Sequence, residues 1–247
     1  MDTTPYAFKR YEKKYLLTPQ QYDALRGALQ PYLCDDGYGL HIVNNIYFDT
    51  PDYAMIRYSL AHPVYKEKFR LRSYGRPDES QRIYAEIKKK YEHIVYKRRV
   101  SAPKQDIRRL LQGEILPDCL LQTQQEIQWL LKRWQPVPQV YIGYDRIACY
   151  GRENPELRVT FDLRLRFRTT RLDLTCGDHG QPVLPDGTVI MEIKFPQTSP
   201  LWMAHILSQY AVFPSSFSKY GTCFMKHLQR PDLFMRAERK RHVHSAL

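Results

Sequence analysis

The sequence predicts an α+β fold in which an antiparallel β-sheet closes into a barrel tunnel and helices pack outside it. At least five segments alternate apolar and polar residues with a period of two, as half-buried strands do. Other segments repeat apolar residues at helical spacing, some after a helix-start signal. All-β barrels of 247 residues commonly form one domain, so we expect a single domain over 1–247 with a short basic tail from about 236.

Three helices are predicted between the strand segments. Thr18, followed by proline at the first helical position, predicts a helix over about 18–32. Thr50, also followed by proline, predicts a second one. Apolar residues at helical spacing predict a third within 117–134. We expect these helices to cover the outer face of the sheet.

The predicted strands share a charged face. In residues 158–168 every second residue is apolar, whereas the alternate positions carry four arginines. The segments at 10–15, 68–72, 83–88 and 191–195 alternate in the same way. The last two add a glutamate two residues before a lysine. Each strand is therefore predicted to have one apolar face and one basic face.

The net charge favours a polyanionic ligand. Lys and Arg number 38 against 26 Asp and Glu, a formal charge of +12, which attracts nucleic acid, polyphosphate, nucleotides or an anionic membrane surface. Two cations 4 Å apart repel by about 4 kcal/mol at an effective dielectric constant near 20. Crowded basic faces therefore favour a bound anion. If they turn inward, the lumen becomes a basic channel that suits a linear chain of phosphates.

Cysteine usage and hydropathy bear on location. The five cysteines show no C-x-x-C spacing, so neither a zinc site nor a disulfide framework is predicted. No leader pattern is present at the start, and no apolar run approaches the roughly 18 residues that span a bilayer. The expected location is the cytoplasm, including the inner face of a membrane, where any membrane role would require a partner protein.

Glutamates on the basic faces suggest a metal site. Carboxylates inside a phosphate channel would weaken anion binding unless they hold a divalent cation, and Mg²⁺ or Mn²⁺ is usually bound by one or two carboxylates together with substrate phosphates. The candidates are Glu192, Glu12 and Glu86, with Glu192 preferred. Glu12 and Glu86 suit a salt bridge to a neighbouring strand equally well.

Eight segments, taken together and in order, carry a family resemblance. They are RYEKKY at 10–15, NNIYFDTP at 44–51, KFRLRSYG at 68–75, EIKKKYEHIVYKRR at 86–99, YDRIACYG at 144–151, LRVTFD at 157–162, MEIKF at 191–195 and SFSKYG at 216–221. The sequence thereby resembles the polyphosphate polymerase domain of the vacuolar transporter chaperone (VTC) complex, within the triphosphate tunnel metalloenzyme superfamily, and most closely its free-standing bacterial members. The resemblance implies a closed tunnel of about eight antiparallel strands.

The resemblance also implies site residues. The catalytic, phosphate-gripping positions are Arg70, Arg72, Lys88, Lys97, Arg146 and Lys219, with Ser218 beside the last. Glu192 matches the metal-binding glutamate, for Mn²⁺ or Mg²⁺. The basic strand faces add the phosphate-binding candidates Arg10, Lys14, Arg158 and Lys194. Two positions depart from the family pattern: Arg10 replaces the first glutamate of an E-x-E-x-K motif, and Ser216 replaces a lysine of the fungal protein.

The implied activity is transfer of the terminal phosphoryl group of ATP to a growing polyphosphate chain. Because the acceptor phosphate is already ionised near neutral pH, no general base is required. Two alternatives stay open: a hydrolase of tripolyphosphate or nucleoside triphosphates, and a noncatalytic polyphosphate- or nucleic-acid-binding module. Inward carboxylates argue against nucleic acid. The expected partners are therefore ATP and polyphosphate, with the oligomeric state left open.

Overall fold

A computed structural model describes residues 11–75, 81–92, 94–117, 119–196 and 198–229. The strands are β1 (Tyr11–Leu17), β2 (Leu33–Asp35), β3 (His41–Asp49), β4 (Tyr65–Tyr74), β5 (Arg82–Tyr91), β6 (Ile94–Pro103), β7 (Val137–Gly151), β8 (Arg158–Arg168), β9 (Gln181–Pro182) and β10 (Val189–Phe195). The helices are α1 (Pro19–Leu29), α2 (Ala54–Leu60), α3 (Lys104–Leu111), α4 (Leu121–Trp134), α5 (Leu201–Gln209) and α6 (Lys219–Cys223), which continues into a π-helical turn at Phe224–Leu228. Arg10 and the predicted tail from 236 lie outside the described residues.

Eight strands follow one antiparallel path in the order β1-β10-β8-β7-β3-β4-β5-β6, while β2 pairs with β7 and β9 with β8. Six steps separate β1 from β5, about 29 Å in a flat sheet. Yet Lys88 on β5 lowers the pKa of Glu12 on β1. The sheet therefore curls into a half-barrel, and the predicted α+β fold with about eight antiparallel strands is confirmed.

The closure of the half-barrel depends on side chains. No backbone pairing joins β1 to β6 within the described ranges. Instead, the segment before α6 crosses the concave face. Lys14 on β1 donates to the Phe217 carbonyl at 3.3 Å, and Lys68 on β4 donates to Ser218 Oγ at 3.1 Å. We call the space enclosed by the concave face the lumen.

Two apolar cores cover the outer face of the sheet. Leu25 of α1 and Met203 of α5 pack in a cluster with Phe161 on β8. Ile127 of α4 packs in a second cluster with Phe69 on β4. The prediction that helices pack outside the sheet is confirmed, because each of these helices buries its apolar stripe against outward-facing strand residues.

A third core fills part of the concave face. Tyr47, Ile142, Phe217 and Tyr220 belong to it. The rings of Tyr47 and Tyr220 stack at 4.8 Å, and Tyr220 donates to the buried carboxylate of Asp49 at 2.8 Å. This core anchors α6 against β3 and thereby fixes the residues that precede it.

Helix starts match the sequence signals to different degrees. Thr18 caps α1 with a capping box that includes Gln21, as its sequence predicts. The helix expected directly after Thr50 begins only at Ala54, because the Asp49 carboxylate binds N–H groups of the first helical turn. None of the helices in the described residues is long and apolar enough to cross a bilayer.

The prediction of one continuous basic face along 158–168 is wrong for its second half. Arg164 has a φ of +49°, and the pairing of β8 with β7 shifts by one residue there. Such a bulge exchanges the two faces of the strand. Leu165 therefore joins the concave core, whereas Arg164 and Arg166 bind Asp145 on the outer side.

Candidate functional site

Strand alternation places the predicted site residues on the concave face. Strands β1, β4, β5, β6, β7, β8 and β10 and the start of α6 contribute them. They are Lys14, Arg70, Arg72, Lys88, Lys97, Arg146, Arg158, Lys194, Ser218 and Lys219. Most of these cations divide into groups according to the carboxylate that holds them, whereas Lys88 and Arg158 make no direct ion pair with a carboxylate of the described residues.

Glu86 on β5 holds three cations. Its carboxylate is 2% exposed and lies 2.7 Å from Arg70, 2.8 Å from Lys97 and 3.8 Å from Arg72. Burial acts to raise the pKa of Glu86, but Arg70, Arg72 and Lys97 outweigh it and hold the pKa well below its usual value. Glu86 therefore acts as a salt-bridge partner that orients the two arginines. The sequence allowed this role for Glu86 as well as that of a metal ligand.

Asp162 on β8 holds two more cations. Arg146 donates to both of its oxygens, at 2.6 and 2.9 Å, and Lys219 lies 2.6 Å away. Burial acts to raise the pKa of Asp162, but Lys219 and Arg146 lower it below its usual value. This cluster fixes the guanidinium and the ammonium side by side.

Glu12 and Glu192 form the third acidic group, on neighbouring strands. Lys14 lies 3.0 Å from Glu12, and Lys194 contacts both glutamates. Burial acts to raise the pKa of both glutamates, and the nearby lysines lower both below the usual value. Both glutamates are therefore ionised at neutral pH.

The donor set fits a divalent cation that arrives with phosphate. Among the described residues, no three His, Cys, Asp or Glu side chains gather into a ready-made metal cage. Glu12 and Glu192 supply two ionised carboxylates, and Mg²⁺ typically takes one or two carboxylates plus substrate phosphate oxygens. Glu86 lies in a different cluster and is already held by three cations. Glu192 and Glu12 are thus the better candidates.

Tyr144 joins two of the clusters. Its hydroxyl accepts from Arg72 at 3.2 Å, and its ring lies 4.7 Å from Lys219 Nζ and 5.2 Å from the Arg146 guanidinium. Burial acts to raise the pKa of Tyr144, but Arg146, Arg72 and Lys219 lower it to about 8. Tyr47 plays a similar part by accepting from Arg70 at 2.8 Å.

Four residues of this site are not among those predicted from the sequence: Lys68, Asp162, Tyr47 and Tyr144. Lys68 and Asp162 have the same strand parity as predicted site residues, a signal that could have found them. The two tyrosines look like ordinary strand residues in the sequence. Their role follows only from the cations packed around them.

Comparison with known proteins agrees with the fold. No curated protein matches the sequence. A candidate adenylyl cyclase from Hippeastrum, described as having a dominant triphosphatase activity, is 14% identical with a TM-score of 0.50, covering 89% of this chain and 97% of that chain. A candidate adenylate cyclase from Bacillus halodurans is 15% identical with a TM-score of 0.49, covering 84% of this chain and 92% of that chain. The Hippeastrum likeness supports the fold alone.

The family comparison covers nearly all of the strands and helices. The model of the VTC domain matches residues 9–227, which include every residue of the three acidic clusters. The resemblance carried by the eight sequence segments is thereby confirmed. The chain belongs to the VTC domain family.

Proposed function

We propose that the protein is a polyphosphate polymerase that transfers the terminal phosphoryl group of ATP to a growing polyphosphate chain. The observation that carries the proposal is the excess of positive charge in the lumen. Among the described residues, the nine predicted cations and Lys68 outnumber the four carboxylates of the acidic clusters: Glu12, Glu86, Asp162 and Glu192. Phosphates would neutralise that excess, and membership of the VTC domain family is in line with such a ligand.

The arginines supply the geometry for phosphoryl transfer. Arg70 and Arg146 are each fixed by two contacts to a carboxylate, so their guanidinium planes are oriented before a ligand binds. Planar guanidinium groups recognise phosphate oxygens in pairs. Catalysis of phosphoryl transfer depends largely on positioning and on neutralising charge. Preoriented arginines provide both.

The acceptor needs no dedicated base, because a terminal phosphate is already ionised near neutral pH. Lys219 and Lys97 lie where they can neutralise charge on donor and acceptor phosphates. Glu192 and Glu12 would hold Mn²⁺ or Mg²⁺, which supplies neutralisation of the nucleotide phosphates when bound. The cytoplasm, with its ATP, is the matching location.

The experiment is incubation of purified protein with ATP and Mn²⁺, followed by gel separation of the products. We expect polymer from the wild type and none from Arg70→Ala or Glu192→Ala. Arg164→Ala is the matched control, because this arginine lies on the outer side of the bulge and is 69% exposed. Release of inorganic phosphate without polymer would contradict the proposal and show that the protein is a hydrolase. Tight binding of polyphosphate without turnover of ATP would show that the protein is a noncatalytic binding module.

A further inference from the structure

Four lysines face one another across β4 and β5. Lys66 lies directly opposite Lys90, and Lys68 lies directly opposite Lys88. Directly opposed residues in antiparallel strands point to the same side. That side is the concave one, because the next pair on the same face of these two strands is Arg70 and Glu86. We call these four residues the lysine quartet.

Within the described residues the lysine quartet makes no direct ion pair with a carboxylate, although Glu12 and Glu192 act on Lys88 from a longer distance and oppose the lowering of its pKa by burial. Among the described residues, no Asp or Glu oxygen lies within 4.0 Å of any of the four ammonium groups. Lys66 donates to the Ser59 carbonyl at 3.2 Å, and Lys68 donates to the Ser218 hydroxyl at 3.1 Å. Both partners are neutral. The quartet therefore differs from the cations held by Glu86 and Asp162.

The outer face of the same two strands shows the opposite arrangement. Lys89, between two members of the quartet, binds Glu126 at 2.7 Å. Glu67, also between two members, accepts from Trp134 at 2.7 Å and lies 3.8 Å from Arg133. Direct ion pairs thus balance the charge on the outer face, whereas the quartet on the inner face has none among the described residues.

This imbalance costs free energy in the absence of a ligand. Like charges directly opposite each other destabilise a sheet. Burial, together with the nearby charges of Lys88, Lys66, Lys14 and Arg70, lowers the pKa of Lys68 to about 7. Burial and Lys90 lower the pKa of Lys66 as well. An anion along the quartet would relieve this repulsion.

We propose that the lysine quartet is a binding track for the part of a polyphosphate chain that extends beyond the phosphates held at the Glu86 and Asp162 clusters. The inference rests on the proposed function for its ligand class, but it concerns binding and not turnover. Lys68 and Lys88 adjoin Arg70, and Lys66 with Lys90 lie about 7 Å further along the strands. The track therefore lengthens the site by that distance towards the β5–β6 turn.

Calorimetric titration with two probes, tripolyphosphate and a size-fractionated long-chain polyphosphate, tests the proposal. The wild type is expected to bind the long chain more tightly per chain. In Lys66→Met/Lys90→Met, this preference should fall about tenfold, a loss of about 1.4 kcal/mol, while the affinity for tripolyphosphate changes less than about twofold. Lys90→Met alone, which leaves the Ser59 contact intact, should show part of the loss.

The matched control is Lys13→Met/Lys89→Met, which removes two lysines from outer faces of the sheet. An equal loss in the control, or an unchanged chain-length preference in the quartet variant, would overturn the track. The measurement needs no turnover, so the track can be confirmed even if the protein forms no polymer from ATP. Conversely, if the wild type forms polymer from ATP and the quartet variant keeps its preference for long chains, the proposed function stands and the track is refuted.

The protonation of Lys68 gives a second test. Its charged form binds anions, so affinity for the long-chain polyphosphate should fall as the pH rises through about 7. Lys68→Arg keeps its charge over this range and should flatten that part of the profile. Phosphate titration contributes equally to both proteins and cancels in the difference. Identical pH profiles for the two proteins would show that Lys68 does not contact the chain.

Discussion

Asp162→Asn removes the charge that holds Arg146 and Lys219 together. The carboxylate is fully buried, and it accepts from both cations at 2.9 Å or less. An amide of the same shape leaves two neighbouring cations without the carboxylate that pairs them directly. We therefore expect a less stable free protein and tighter binding of an anion that replaces the lost charge.

The magnitude follows from the burial of the three groups. Removing one partner of a buried ion pair costs about 3–5 kcal/mol. Arg146 and Lys219 retain 16% and 11% exposure, which favours the lower end of that range. For a protein of this size each kcal/mol shifts the melting temperature by about 2–4 °C. A loss of about 3 kcal/mol corresponds to a decrease of about 6–12 °C.

The pH dependence has a definite sign. Burial opposes ionisation of Asp162, but Lys219 and Arg146 depress its folded-state pKa below its usual value. The stabilisation is therefore present above the unfolded pKa of about 3.9 and is lost as the pH falls through the lower folded pKa. The difference in folding stability between the wild type and Asp162→Asn should narrow only in strong acid.

Thermal unfolding with and without tripolyphosphate measures these effects. The ligand should raise the melting temperature of Asp162→Asn more than that of the wild type. Asp52→Asn is the matched control, since Asp52 is 50% exposed and forms a surface pair with Arg57 at 3.3 Å, worth at most about 1 kcal/mol. Equal melting temperatures for Asp162→Asn and wild type, with equal ligand shifts, would refute charge compensation by Asp162.

Three further outcomes test other parts of the structure. In Glu192→Gln, tripolyphosphate should still bind in calorimetry but no longer bind more tightly with Mn²⁺; undiminished enhancement by the metal would contradict a ligand role. Arg146→Met should weaken tripolyphosphate binding about tenfold, whereas Arg166→Met should change it less than about twofold, and similar losses would contradict their assignment to opposite faces. Thr18→Ala should lower the free energy of unfolding by about 1 kcal/mol in chemical denaturation through loss of the α1 cap, and an unchanged midpoint would argue against the capping box.

The sequence predicts much of this fold because local rules decide it. Period-two alternation identifies β4, β5 and β10 since side chains of a strand alternate between its faces. The bulge at Arg164 escapes this reasoning, because the alternation of apolar and polar residues continues unbroken through 158–168. The exchange of faces is decided by nonlocal contacts, those of Arg164 with Asp145 and of Leu165 with the concave core.

The site is predicted less completely than the fold. Parity and family resemblance identify most of the cations, yet neither reveals which carboxylate holds each one. Glu86 meets Arg70 because the β4–β5 register places them opposite each other. Asp162 meets Lys219 only because the concave core anchors α6 across the lumen. Such pairings depend on tertiary structure that no local pattern encodes.

The pairing of cations gives a reason for carboxylates in the proposed phosphate-binding lumen. Glu86 and Asp162 would compete with a phosphate ligand for the arginines, and this competition would weaken binding. They also fix the guanidinium planes before the ligand arrives, so little reorganisation is left for the transition state. The lysine quartet has no such partners and contributes attraction without a fixed geometry. Orientation and attraction are thus assigned to different residues, and removing Asp162 should strengthen phosphate binding while slowing phosphoryl transfer.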